Sequence, residues 1–150
     1  MQPGREMRRI ERAIGEKALI EDVLRRALIC RVALAGDGYP YIVPVNFGYQ
    51  DGCLYFHCAP EGQKIDMLRE NNKVCFQAEV DVELVKADHA CNWSMKYRSV
   101  IGYGKAYLVG DAEEKRRGLN IIVGHYSGET YDCPDGSLDE LEIVRIEIEQ

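Results

Sequence analysis

The chain has 150 residues, 46% hydrophobic and 29% charged, which suits one soluble, globular domain with a real core. Its 19 Lys and Arg against 25 Asp and Glu leave a formal charge of −6, which counts against nucleic-acid binding by phosphate neutralisation but leaves room for a local basic pocket for a small phosphorylated ligand. No apolar run approaches the roughly 18 residues of a spanning helix, and the charged start "MQPGREMRRIERAIGEK" lacks the apolar core of a secretory signal, so the expectation is a single cytoplasmic domain over residues 1–150.

In "GEKALIEDVLRRALI", Ala18, Leu19, Val23, Leu24 and Leu28 recur near helical spacing with charges opposite, which predicts a helix over 16–27. A meander follows. Its first strand covers 28–35 and turns at Gly36-Asp37-Gly38; the second covers 39–49 and turns at Gln50-Asp51-Gly52; the third covers 53–59. Asp-Gly between apolar runs is a strong hairpin signal. "QKIDMLRENN" is a short helix with Ile65 and Leu68 inward and Asn71-Asn72 as its stop. "KVCFQAEVDVELV" alternates Val74, Phe76, Ala78, Val80 and Val82 against polar or small residues, as a half-buried strand does. "MKYRSVIGYGKAYLVG" is a long strand whose Gly102 and Gly104 signal a bulge or a close backbone approach. "DAEEKRRGLNIIVGHY" is a helix capped by Asp111, "SGETYDCPDGSLDE" a polar loop, and "LEIVRIEIEQ" a last alternating strand. Antiparallel strands with few helices and short turns predict a mainly β fold, a small closed barrel.

The six cysteines, Cys30, Cys53, Cys58, Cys75, Cys91 and Cys133, form no C-x-x-C pair and mostly lie in apolar runs, so they are expected as reduced, buried thiols. His89 and Cys91 lack a second ligand pair, and no metal site is expected.

Three stretches carry candidate chemistry. In "LYFHCAPEGQKIDML", Leu54, Phe56 and Cys58 face the core while Cys53, Tyr55, His57 and Ala59 face away. The helix that follows at once offers free N–H groups, and Gly62 lets a ligand come close. Lys64 in a first turn opposes the helix dipole, a penalty that a bound phosphate reverses. A surface histidine and a solvated lysine fit the same residues. In "YPYIVPVNFGY", Pro44 cannot donate to a ladder, which places it on an edge or bulge, leaves backbone groups free for a planar heterocycle, and adds the Asn46 amide. An edge strand merely protected by Pro44 fits as well. In "NWSMKYRSVIGYGKA", Trp93 and Tyr97 can stack on a planar ligand and Arg98, beside Ser99, can neutralise an anion. An ordinary strand with one wet face is the alternative.

In this order, together with "MRRIERAI" and "VCFQAE", the stretches resemble the pyridoxamine 5′-phosphate oxidase-like flavoproteins, most of all their nitroimidazole-resistance branch, over about residues 7–149. The resemblance implies an FMN-binding split β-barrel that forms a homodimer with FMN at each of two subunit interfaces. By the same resemblance Val43, Pro44, Val45 and Asn46 lie along the isoalloxazine, His57, Cys58 and Ala59 face the cofactor, and Gln63 and Lys64 hold its phosphate. Trp93, Tyr97, Arg98 and Ser99 line the site, some from the partner subunit. Gln63 stands where the oxidase branch has Arg, and the oxidase's substrate-binding C-terminal segment has no match; both argue against pyridoxamine phosphate as substrate.

The implied activity is an FMN-dependent oxidoreductase that reduces small electrophiles such as nitro compounds, with His57 as catalytic candidate. The alternatives are a flavin-binding module without turnover, for storage or sensing, and a haem protein with His57 or His125 as axial ligand. Some relatives bind a deazaflavin.

Overall fold

The computed structural model describes residues 7–150; the opening residues 1–6 of the charged N-terminal stretch lie outside them. The alternating segments form seven strands: β1 (Cys30–Leu34), β2 (Tyr41–Val45), β3 (Phe47–Gln50), β4 (Cys53–Cys58), β5 (Lys73–Val85), β6 (Ser94–Leu108) and β7 (Glu142–Ile148). They pair antiparallel in one sheet of order β2-β1-β5-β6-β7-β4-β3. The helices are α1 (Lys17–Arg26), α2 (Gln63–Glu70), α3 (Ala112–Ser127) and the four-residue α4 (Asp135–Leu138), which lies in the segment expected to be all loop and buries Leu138. None of the described helices is long and apolar enough to cross a membrane.

The two edge strands, β2 and β3, are neighbours in the chain, separated by Asn46 alone. A sheet whose opposite edges are joined by one residue has to roll until the edges meet. The result is a barrel closed by the backbone but not by a ladder, a split β-barrel. The expected single strand over 39–49 is therefore two strands. The alternation hides the break, because Val45 and Phe47 are both buried on the same side of it. What changes at Asn46 is the partner: Val45 pairs with Cys30, Phe47 with Phe56.

The barrel interior is filled by Val32, Leu34, Phe47, Leu54, Phe56 and Phe76, and plugged by Val23 and Leu24 of α1 and Leu68 of α2. A second, smaller cluster of Tyr55, Val109, Ile122 and Ile143 lies outside β4 and β7, beneath α3. Asp111 caps α3 as expected, its side chain accepting from the Glu114 N–H at 2.9 Å. The far end of α3 is tied to the seam. The Tyr126 hydroxyl accepts the Phe47 N–H at 3.0 Å and donates to the Leu28 carbonyl at 2.7 Å, and His125 Nε2 donates to the Ala27 carbonyl at 2.7 Å. Those two carbonyls are thus taken before any strand begins, so β1 starts at Cys30 rather than at 28, and Leu28 and Ile29 stay exposed.

The glycines of β6 are close-approach positions. A Cβ at Gly102 would overlap the Cζ edge of the Phe76 ring, and one at Gly104 would overlap the Glu147 carbonyl. The bulge lies instead on β5, where the register shifts between Val80 and Glu83 and Asp81 has φ 57°. For that reason Val82, expected to continue the inward row, is exposed. All six cysteines are free; burial pushes the Cys30 thiol up to about 12, while Cys91 is exposed.

Gly102→Ala is expected to destabilise the barrel by about 1–3 kcal/mol through overpacking against Phe76. Phe76→Leu in the same chain should recover part of that loss. Urea unfolding of the two variants, followed by circular dichroism, measures both effects.

Candidate functional site

β4 runs past the start of β3. In their common register the residue opposite His57 would be Asn46, but there the chain leaves for β1. His57 and Cys58 therefore pair only on the β7 side, with Ile143 and Glu142. β2 in turn pairs only with β1. Among the described residues, two strand edges without strand partners flank the split, and Pro44 withholds one of the donors. The Val43 and Val45 side chains face the barrel interior, so along β2 only their backbone is available to a ligand, whereas Pro44 and Asn46 are exposed. His57 and Ala59 are exposed and Cys58 is half-buried.

α2 opens just beyond the end of β4. Its N-cap, Gly62, has φ 118° and ψ 170° and offers no side-chain acceptor, so the first-turn N–H groups lack a cap. The Gln63 amide folds back along the helix, with Nε2 3.9 Å from Met67 Sδ. Lys64 Nζ lies over the Phe56 ring, 5.6 Å from its centroid, at the end of the barrel. Burial raises the pKa of the neighbouring Cys58 thiol, and the Lys64 charge opposes that rise. An uncapped helix N-terminus, a lysine and two open strand edges thus converge on one seam. Together they can hold an anionic group and present backbone donors and acceptors to a planar heterocycle.

The third stretch lies elsewhere. Beyond the bulge, β5 and β6 continue as a two-stranded ribbon with no other strand beside it among the described residues. Trp93 Nε1 donates to the Ala87 carbonyl at 2.8 Å, with Lys86 Nζ 5.9 Å from its ring centroid. Tyr97 is exposed, Ser99 half-buried, and Arg98 Nη1 is 3.6 Å from the Asp81 carboxylate. At the other end of β6 the Ala106 N–H donates to the Asn72 carbonyl, just past α2. From Ser99 to Ala106 the strand rises about 23 Å. One chain therefore brings the first two stretches together and holds Trp93, Tyr97, Arg98 and Ser99 of the third at the end of β6 away from that contact.

Two expectations change. Tyr55, which was to share the cofactor side with His57, is buried under α3. His125 is engaged with the Ala27 carbonyl and packs against Phe47, ring centroids 4.6 Å apart, which removes Nε2 from any haem. Three residues that shape this region were not anticipated: Tyr126 at the seam, and Arg26 and Asp81 at the root of the ribbon. An acid between two valines in "EVDVE" is the one local sign of the last. A hollow of about 600 Å³ between α1, β3 and α3 is lined in part by Arg25, Tyr49, Arg117 and Asn120 and contains none of the expected residues of the split. Arg25 is already paired with Glu21 at 3.2 Å.

A rolled antiparallel sheet, split at one seam beside a helix N-terminus, defines the split-barrel class of cofactor-binding folds. The chain belongs to the pyridoxamine 5′-phosphate oxidase family, whose model matches residues 16–150. It is similar to a candidate 5-nitroimidazole antibiotic resistance protein from Bacteroides thetaiotaomicron, with 36% identity, a TM-score of 0.81, and coverage of 91% of this chain and 82% of that one. A FAD and heme binding protein from Mycobacterium smegmatis shares the fold at 20% identity and TM-score 0.78, over 89% of this chain and 66% of the other. An uncharacterized protein of Rhizobium meliloti is 43% identical over 49 residues, which is 33% of this chain and 32% of that curated relative. The expectation of a mainly β split barrel in this family, beside the nitroimidazole-resistance branch, is borne out.

Gly62→Ala tests the turn that aims α2. Nothing lies within 4 Å of the added Cβ, so its effect is conformational alone. A Gly-only backbone region predicts a loss of about 1–3 kcal/mol in a urea melt, with Gly62→Ser losing as much.

Proposed function

We propose that this chain is a single-domain cytoplasmic flavoprotein that binds FMN in the split of its barrel. It works as a homodimer and is an oxidoreductase of small electrophiles such as nitro compounds. The observation that carries this reading is the seam, where the free edges of β2 and β4 meet the uncapped, Lys64-bearing start of α2. These groups suit an isoalloxazine edge and a phosphate, respectively. Membership in the oxidase family and a fold shared with a FAD and heme binding protein support a flavin.

The bound flavin supplies the electron transfer; the chain supplies the rest. The α2 N–H groups and Lys64 hold the phosphate, and the Gln63 amide joins them once it leaves its weak contact with Met67 Sδ. The backbone of Val43 and Val45, with Pro44 and Asn46, orients the ring. Cys58 and Ala59 form the wall beside it. His57 stands at the rim, where an imidazole can hold the ligand by hydrogen bonding or pass a proton to a reduced substrate. Of these two roles, binding is the better supported, since water reaches an exposed His57 and can itself deliver the proton.

Distance supports the dimer. Lys64 and the ribbon stand at opposite ends of β6, so one chain does not fold both around one FMN. A second copy, placed two-fold, can lay its ribbon with Trp93, Tyr97, Arg98 and Ser99 over the first copy's split. It would also cover the outward apolar side chains of the ribbon, such as Val82 and Met95, which are exposed in one chain.

The absorbance spectrum of the purified protein, with mass spectrometry of the released ligand, is the first test. Flavin bands that NAD(P)H bleaches support the oxidoreductase. Flavin bands with no reduction assign a binding module without turnover, and a Soret band assigns haem.

Lys64→Ala is expected to weaken FMN by about 1.5–3 kcal/mol, tenfold or more in Kd, and to leave riboflavin nearly unaffected. Equal losses for both would make Lys64 structural. Mixing Lys64→Ala with Arg98→Ala chains should then restore about one tight site per mixed dimer, which titration with FMN counts. No recovery on mixing would put both residues in one chain's site or in none.

His57→Gln separates the two roles of the rim histidine. A binding role predicts weaker FMN with turnover of the loaded protein nearly unchanged. A proton-donor role predicts normal FMN content, reduction slower by roughly 10²-fold or more, and loss of the acid limb of the pH profile.

A further inference from the structure

Between Val80↔Arg98 and Glu83↔Lys96, β5 advances three residues while β6 advances two. One residue is extra, and it is accommodated at Asp81, which has φ 57°. The insertion switches which side chains face out. Up to Val80 the even-numbered residues of β5 point inward, as Val74, Phe76 and Ala78 do. Past the bulge Leu84 is opposite Met95, on the face of β6 that also carries Ile101. Val82, Leu84, Met95, Tyr97 and Ile101 thereby gather on one outward face, each between 46% and 62% exposed. In a regular ladder Val82 and Leu84 would have turned to the opposite face.

The same residue ties the ribbon to the barrel. The Asp81 carboxylate accepts from Arg26 Nη2 at 2.5 Å and Nη1 at 3.2 Å, and Arg98 Nη1 stands 3.6 Å away. Arg26 is steadied in turn by Asp22 at 3.1 Å, and α1 is anchored in the core by Val23 and Leu24. The neighbouring pair, Arg31 and Glu79 at 2.8 Å, is satisfied separately, with Gln77 as its further partner. Hydrogen bonding from Arg26 is the main cause that holds the Asp81 carboxyl below the usual carboxylate range, so it is ionised at neutral pH.

We propose that Asp81 is a positioning residue of the cofactor site: its left-handed bulge and its carboxylate aim the ribbon, and with it Arg98 and Trp93, at the partner's split. This rests on the dimeric flavin site proposed above. All the charges involved are partly exposed, and such ion pairs contribute little to global stability. Their effect is on direction. With Arg26 taking both carboxylate oxygens, Arg98 is held nearby at a longer distance and keeps donors for a ligand.

The test compares Asp81→Asn, which keeps a side chain tolerant of φ > 0 and loses the charge, with Arg26→Gln, which removes the anchor and leaves the bulge alone. Hydrogen exchange is measured on the whole chain without flavin, and flavin release on the loaded protein. Both variants should exchange about tenfold faster over 82–97 while 74–78 is unchanged, and should release flavin about tenfold faster. The double variant should lose no more than either single one, because both remove the same link. Unchanged exchange in the ribbon overturns the proposal. So does a rise spread equally over 74–78, which would mark a general structural role. A loosened ribbon with unchanged flavin release also overturns it, because the ribbon then does not serve the site. A wild-type protein that takes up no flavin sinks the dimeric site alone, and the exchange data still decide whether Asp81 aims the ribbon.

Discussion

One covalent constraint organises this protein: the two edges of its sheet are consecutive in the chain. With Asn46 the sole residue between β2 and β3, the sheet has no flat alternative. Rolling it puts three aromatic rings, Phe47, Phe56 and Phe76, into one interior and opens the split where the chain changes partner. Everything assigned to cofactor binding in the first two stretches, from Val43 to Lys64, lies on one side or the other of that split. The Tyr126 hydroxyl, taking the Phe47 N–H, satisfies a donor that the change of partner would otherwise orphan.

The sheet divides its outward surface between two uses. α3 covers the β4–β7 side, where Tyr55 and Ile143 need an apolar lid. The β1–β2 and ribbon side is left open, and there the exposed residues are large and apolar, Ile42 and Ile101 among them. Such an open apolar face is characteristic of a surface that another macromolecule covers. The same face carries the third candidate stretch, so the dimer proposed above would hide the face as it closes the site.

Much of this was legible in the sequence because alternation and turn residues report directly on burial. The helix starts at Gly62 and Asp111, the Asp51-Gly52 turn and the β5 and β7 strands all follow from local chemistry. Two breaks were not legible, for one shared reason. Val45-Asn46-Phe47 and Val80-Asp81-Val82 both keep a perfect apolar–polar–apolar rhythm, yet in the first the chain changes partner and in the second an extra residue enters the ladder. Periodicity records which face is apolar; it does not record which strand lies alongside. The separation of Lys64 from Arg98 was hidden for the same reason, since it is set by the pairing of β6 at both its ends. His125 and Tyr126 left no pattern at all, because they act on main-chain groups.

The place of β7 carries a consequence for how the chain acquires its shape. It is the last strand in chain order, yet it sits between β6 and β4 and hydrogen-bonds both. Until Glu142–Ile148 has been synthesised, no ladder joins the two pieces of the sheet, β2-β1-β5-β6 and β4-β3, which are linked only by the chain through Asn46 and through α2. Both inner edges, that of β6 and that of β4, then stand open on the ribosome. The barrel is therefore assembled only once β7 is available, by long-range pairing that is slow to find. During that interval the nascent chain offers ladder positions to any extended peptide nearby, and the final strand acts as a keystone whose arrival ends that exposure.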